Sequence, residues 1–255
     1  MAGSGATGLR REPAAHRNGL AAEVCEAIKK RILDVESAAG DRLNIDLLAR
    51  QYGVSSSPVR EALARLLSER LVVFKPNSGY VVAALPDRQY FADMIEYRLL
   101  LECQAVRMGA PRRDRPILKR MHEALWEMET LPLGRKYEEF HEFNEWDTRF
   151  HIAMIESSGN RVFVHSYEDL RPQLHLSRLY LVQREQVQKA EVLKEHVAMM
   201  SAFDAGDAEA AVQATHRHID SARKMLEYEA RIEHRRAVSA EEETWPPQGG
   251  WSSSE

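Results

Sequence analysis

Cysteine is almost absent: Cys25 and Cys103 are the only two in 255 residues. A disulfide framework and a cysteine-rich zinc site are both excluded, and a reducing cytoplasm fits. Long apolar runs are missing as well. Without a stretch of about 18 uninterrupted apolar residues, no transmembrane helix is expected. The N-terminal MAGSGATGLRREPAAHRNG lacks the apolar core of a secretory signal, so a cytoplasmic protein is expected. Glycine and proline number only 13 and 10, which excludes a collagen-like chain. Nor is charge of one sign in large excess, since the formal net charge is −4. That value conceals an asymmetry. Residues 1–85 hold 12 Lys/Arg against 9 Asp/Glu, and the remainder holds 23 against 30. A mildly basic first third on an acidic body permits contact with a polyanion without establishing it. What is present, 44% hydrophobic and 29% charged residues, belongs to a folded globular protein.

Both ends, 1–18 and 237–255, are mixtures of small, polar and breaker residues without periodicity and are expected to lack structure. Between them the chain reads as two domains, 19–85 and 87–234. In the first, Leu20, Val24, Ile28, Ile32 and Val35 recur at three- and four-residue steps and mark a helix. A short helix follows over 45–50, ended by Tyr52-Gly53. A third begins at Ser55-Ser56-Ser57, with Pro58 in its first turn and Val59, Leu63, Leu66 and Leu67 on its apolar side. Leu71–Phe74 and Tyr80–Val82 flank Pro76-Asn77-Ser78-Gly79, the pattern of a β-hairpin. After Pro86 no strand pattern returns. Helices are expected near 87–110, 116–130, 136–157, 160–183, 187–205 and 208–234, making an all-α antiparallel bundle of six.

Three helices and a hairpin make a winged helix-turn-helix. A helix seated in the major groove needs polar residues at its N-terminal end and an apolar back. Ser55, Ser56, Ser57 and Arg60 supply the front. Arg65 reaches bases or phosphates, and Lys75, Ser78 and Gly79 place the hairpin against the DNA backbone. The competing reading is ordinary surface residues on a small helical domain.

In the bundle, Asp147 and His151 lie one helical turn apart and project from one face. His196 shares an apolar side with Leu193, Met200 and Phe203, and His218 shares one with Ala211, Ala214 and Ala222. One acid and three imidazoles on inward faces can converge on a single centre, where a divalent ion (zinc first; nickel, manganese or iron next) would suit them. Each histidine could equally be a hydrogen-bonded core residue. His216 points about 200° from His218 and is expected to face solvent. His141, His165 and His175 lack comparable spacing.

LARQYGVSSSPVREALARLLSERLVVFKPNSGYVV, Leu48 to Val82, resembles the DNA-binding module of the GntR family of bacterial transcription regulators, with Val59–Leu63 (VREAL) as its core. Two positions depart from that pattern. Ser56 stands where the family commonly has Arg, and Arg70 where it usually has Gly, so Arg70 is expected at positive φ. The bundle is similar to the FCD effector domain of the FadR-like subgroup. That resemblance implies a metal held by Asp147, His151, His196 and His218. It also implies a role in effector binding for Arg98, in Arg98-Leu-Leu-Leu-Glu102. The expected function is a DNA-binding regulator, by family default a repressor, acting as a homodimer on a palindromic operator. A small organic acid would be its effector. Arg178 and Tyr180 are further candidates for the effector cavity. A metal-dependent enzyme and a regulator with a purely structural metal remain as alternatives.

Overall fold

A computed structural model describes residues 14–34, 36–84, 87–134, 136–182 and 189–224. Val35, the tail 237–255, and residues 225–234 of the sixth expected bundle helix lie outside the described residues. The architecture is mostly helical, with one two-stranded sheet. Two compact units result. Of the described residues, the first takes those up to 84 together with those within 134–142 and 171–179, and the second takes the others.

In the first unit, α1 (Ala14–Leu33) begins inside the stretch expected to lack structure, since Ala14 and Ala15 are strong helix formers. Its residues Ala21, Val24 and Ile28 are buried with Val59, Leu63 and Leu66 in the core of this unit. The second helix, α2 (Ile45–Tyr52), is capped at both ends. Asn44 Oδ1 accepts from the backbone N–H of Asp46 and Leu47, and Gly53 closes it in the left-handed conformation at φ 65°. Next, α3 (Ser56–Ser68) starts at Ser55 in extended backbone. The Ser55 hydroxyl makes no capping bond, contrary to the usual role of serine there. Pro58 lies in the first turn, where an N–H has no helical partner in any case.

Arg70 stands at φ 57° just past α3. Its N–H bonds to Leu67 O, and Leu71 N–H bonds back to Leu66 O, which closes a Schellman motif around a non-glycine residue. Leu71 is thus consumed by the helix end. The first strand accordingly runs one residue later than expected, as β1 (Val72–Lys75), while the second begins one residue earlier, as β2 (Gly79–Val82), with Val72 opposite Val82 and Lys75 opposite Gly79. Ser78 N–H closes the turn onto Lys75 O, with Pro76 and positive-φ Asn77 at its centre. Asp41–Leu43 adds a short third rung through Val82 N–H to Asp41 O and Leu43 N–H to Tyr80 O.

The bundle helices are α4 (Arg88–Gly109), α5 (Arg115–Thr130), α6 (Tyr137–Glu156), α7 (Arg161–Val182), α8 (Lys189–Ala205) and α9 (208–224). Asp87 caps α4 through Tyr90 N–H, and Asp114 caps α5 through Ile117 N–H. Pro172 sits inside α7 without ending it. The second unit's core is built of Phe91, Met94, Ile95, Met121, Met128, Phe150, Met154, Met199 and Phe203. No described helix is long and apolar enough to cross a membrane.

Candidate metal centre and nucleic-acid interface

Three helices of the second unit bring the four expected ligands together. Helix α6 supplies Asp147 and His151 from adjacent turns, α8 supplies His196, and α9 supplies His218. One ligand atom from each of the four lies within 4.8 Å of the others. His196 Nε2 is 3.0 Å from Asp147 Oδ1, and His151 Nε2 is 3.9 Å from Asp147 Oδ2. His151 and His196 are completely buried, Asp147 nearly so, and His218 mostly. Phe150 packs edge-on against the His196 ring, and Tyr167 stacks on His151, so aromatic rings wall two of the imidazoles.

The outward nitrogens explain how the rings are aimed. His196 Nδ1 lies 2.8 Å from the backbone oxygen of Val192, which can only accept. His151 Nδ1 is 2.8 Å from Glu102 Oε2, and His218 Nδ1 is 2.9 Å from Glu195 Oε2. Acceptors on every Nδ1 assign the proton there and leave each Nε2 a lone pair, those of His151 and His196 facing Asp147. His151 Nε2 and His196 Nε2 are buried and have no hydrogen-bond partner among the described residues. Leaving such an atom unsatisfied costs about 1–3 kcal/mol. A cation removes that cost for all the lone pairs at once.

Burial pushes the His218 imidazole down to about 3, and burial also lowers that of His151 in spite of Glu102 and Asp147 beside it. Both are therefore neutral ligands at pH 7, with no proton to displace. Burial alone would raise the Glu102 carboxyl, but the Arg98 guanidinium and then His151 hold it down to about 2. The donor set is three imidazole nitrogens and one carboxylate, all second-row hard-to-borderline donors, and it can hold a metal ion.

Arg98 is 5% exposed, and its Nε donates to Glu102 Oε1 at 2.6 Å. Glu102 thus bonds Arg98 with one oxygen and His151 with the other. Arg98 Nη2 is buried with no hydrogen-bond partner among the described residues. Neither Glu102 nor Glu195 stood out as a functional residue in the sequence. The i,i+4 step from Arg98 was the available signal for Glu102. Glu195 had none beyond its place next to His196.

The remaining histidines separate cleanly. His216 and His165 are exposed, and His141 stacks on Tyr137 with its Nδ1 against the Tyr137 carbonyl. The side chains of His175, Arg178 and Tyr180 lie outside the described residues.

In the first unit, Ser55, Ser57, Arg60, Arg65 and Lys75 are exposed, whereas Ser56, Ser78 and Gly79 are half-buried. Ser57 and Arg60 are three apart and share the outer face of α3 near its N-terminus. Ser56 is drawn sideways, its Oγ 3.4 Å from Asp46 Oδ1. Arg65 stands about 140° around the helix from Arg60. It lies near Cys25, whose thiol is pushed up to about 11 chiefly by burial and then by Glu69, with Arg65 opposing. The hairpin adds an aromatic pair the sequence reading passed over: Phe74, 61% exposed, edge-on to Tyr80.

Two family models match the chain. That of the bacterial regulatory proteins of the gntR family covers residues 20–82, and that of the FCD domain covers 93–221. The gluconate operon transcriptional repressor of Bacillus subtilis (strain 168) is 26% identical over 208 residues, 80% of this chain and 84% of that protein. The uncharacterized HTH-type transcriptional regulator BphR of Paraburkholderia xenovorans (strain LB400) is 28% identical over 223 residues, 82% and 86% of the two chains. Among solved structures, McbR/YncC of E. coli superposes with a TM-score of 0.61 at 22% identity, over 83% of this chain and 98% of that one. That likeness is one of fold. Two adjoining family matches, one over the winged helix and one over the histidine-bearing bundle, place this chain among the GntR-family transcriptional regulators of the FadR-like subgroup, DNA-binding proteins with an FCD C-terminal domain and not enzymes.

Proposed function

We propose that this regulator represses transcription from a palindromic operator as a homodimer, and that a divalent metal and a small carboxylate effector in its bundle set its operator affinity. The observation carrying the proposal is the pair of buried, unpartnered Nε2 atoms of His151 and His196 beside Asp147, completed by His218. Zinc suits three imidazoles and a carboxylate best, with nickel, manganese and iron as the other candidates. A bound ion and the spare donor of Arg98 are both positive centres, and a small hydroxy acid or dicarboxylate satisfies both. The gluconate operon relative supports a hydroxy-acid effector and repression.

On the DNA side, Ser55, Ser57 and Arg60 face base edges, with Ser56 turned beside them toward Asp46, Arg65 flanks the groove, and Lys75, Ser78 and Gly79 meet the backbone from the wing. Two recognition helices about 34 Å apart in a dimer match one turn of the duplex. An effector preferring one conformation of the bundle shifts the population and with it the affinity for the operator. The test is elemental analysis of purified protein, followed by gel-shift titration of its own promoter fragment with gluconate and other small acids. Metal-loaded and metal-stripped protein are compared. About one ion per chain and metal-dependent release are expected. Metal-independent release, or no ion, refutes the reading.

A further inference from the structure

Glu102 is completely buried on α4 and is used twice, by Arg98 Nε at 2.6 Å and by His151 Nδ1 at 2.8 Å. Each donor takes a different oxygen of this side chain. Only a carboxylate offers two acceptor oxygens and no donor. A glutamine in its place would turn its amide N–H either into the guanidinium or onto His151 Nδ1. In the second case the His151 proton moves to Nε2, and that nitrogen no longer binds a metal. Arg98, meanwhile, has more donors than Glu102 uses, and its Nη2 is buried with no hydrogen-bond partner among the described residues. A guanidinium fork with one arm filled and another bare accepts a second carboxylate in the same plane.

We propose that Glu102 is a positioning residue that couples the two sites: it holds His151 in the metal-binding tautomer and, through Arg98, makes metal affinity rise when a small carboxylate occupies the bare arm. The inference rests on the metal reading above. The sign follows from sharing. A second carboxylate on Arg98 weakens the guanidinium's pull on Glu102, Glu102 then accepts more strongly from His151 N–H, and Nε2 becomes the better ligand. By linkage, metal tightens the carboxylate by the same factor. Contact between the anion and the ion is not required.

The experiment uses the full chain, stripped of metal and titrated with Co²⁺, whose visible spectrum reports its ligands, with and without acetate as the probe anion. Wild type should bind one Co²⁺ per chain, with affinity rising as acetate is added. Glu102→Gln should lose roughly 10- to 100-fold in Co²⁺ affinity and show an altered spectrum. Arg98→Lys keeps a charge beside Glu102 but has no second planar arm. It should bind Co²⁺ like wild type and ignore acetate. If Glu102→Gln does not fold, Arg98→Lys alone decides. A Glu102→Gln protein with wild-type affinity and spectrum overturns the proposal, as does an Arg98→Lys protein that responds to acetate normally. Wild type that binds no Co²⁺ overturns the metal reading and this inference with it. Wild type that binds Co²⁺ without any response to acetate overturns the coupling alone.

Discussion

Stripped of metal, the protein should lose stability as pH falls below 6.5, and His218 should account for the first part of the loss. Its imidazole is pushed from 6.5 down to about 3, mainly by burial, with the neighbouring His196 and His151 adding to the effect. A group whose value is depressed by folding contributes stability that is complete above its unfolded value and disappears as pH falls through the folded one. Here that window runs from 6.5 down to about 3. Each pH unit inside it is worth about 1.4 kcal/mol, because the unfolded chain takes up a proton the folded chain refuses. At about pH 5 the loss from His218 alone is therefore about 2 kcal/mol, a figure that holds for any folded value well below 5. His151 is shifted in the same direction and adds to it. Glu102, held at about 2, joins only below 4.5. The assay is urea unfolding followed by circular dichroism at pH 7.5 and 5.0, on metal-stripped wild type and on His218→Gln, which has no titrating ring. The variant should show the smaller drop, by about 2 kcal/mol. Equal drops in the two proteins would mean that His218 titrates in the folded state as it does in water, and the account of its burial would be wrong. Adding Zn²⁺ back should suppress the acid loss until protons displace the ion.

Other perturbations test other parts of the molecule. Arg60→Ala should weaken operator binding by about 1–3 kcal/mol and relax selectivity at one base pair, whereas Lys75→Ala should weaken all sequences alike and reduce the salt slope by about one. Unchanged operator affinity of Arg60→Ala at fixed salt would mean that the recognition surface is misplaced. His151→Ala should abolish stoichiometric metal in the purified protein while His216→Ala leaves it intact, and elemental analysis reads both; equal loss would reverse the assignment. Arg70→Gly should raise thermal stability, by up to about 1 kcal/mol, because φ 57° is strained for a side chain and free for glycine. A lower midpoint for that variant would show that the Arg70 side chain contributes more than its backbone costs.

Local chemistry was legible in the sequence wherever a short-range rule controls it. The end of the second helix at Gly53 and the hairpin turn at Pro76–Gly79 follow from residue type within a few positions, while the positive φ of Arg70 was expected from the family resemblance and not from the residue itself. The i,i+4 pairing of Asp147 with His151 and the outward turn of His216 are equally local, because helical periodicity decides them. Sequence spacing also put His196 and His218 on inward faces, but whether inward faces meet is a matter of how three helices pack. Only the tertiary structure brought the four ligand atoms within 4.8 Å and showed that two of their nitrogens lack partners. The same holds for Glu102, which is 49 positions from His151. A carboxylate in the middle of an amphipathic helix looks like any solvent-facing acid until packing removes the water around it. Burial then makes its two oxygens the acceptors for an arginine on its own helix and a histidine on another. Periodicity determines which face a side chain is on, and desolvation among long-range neighbours determines what it must bind there.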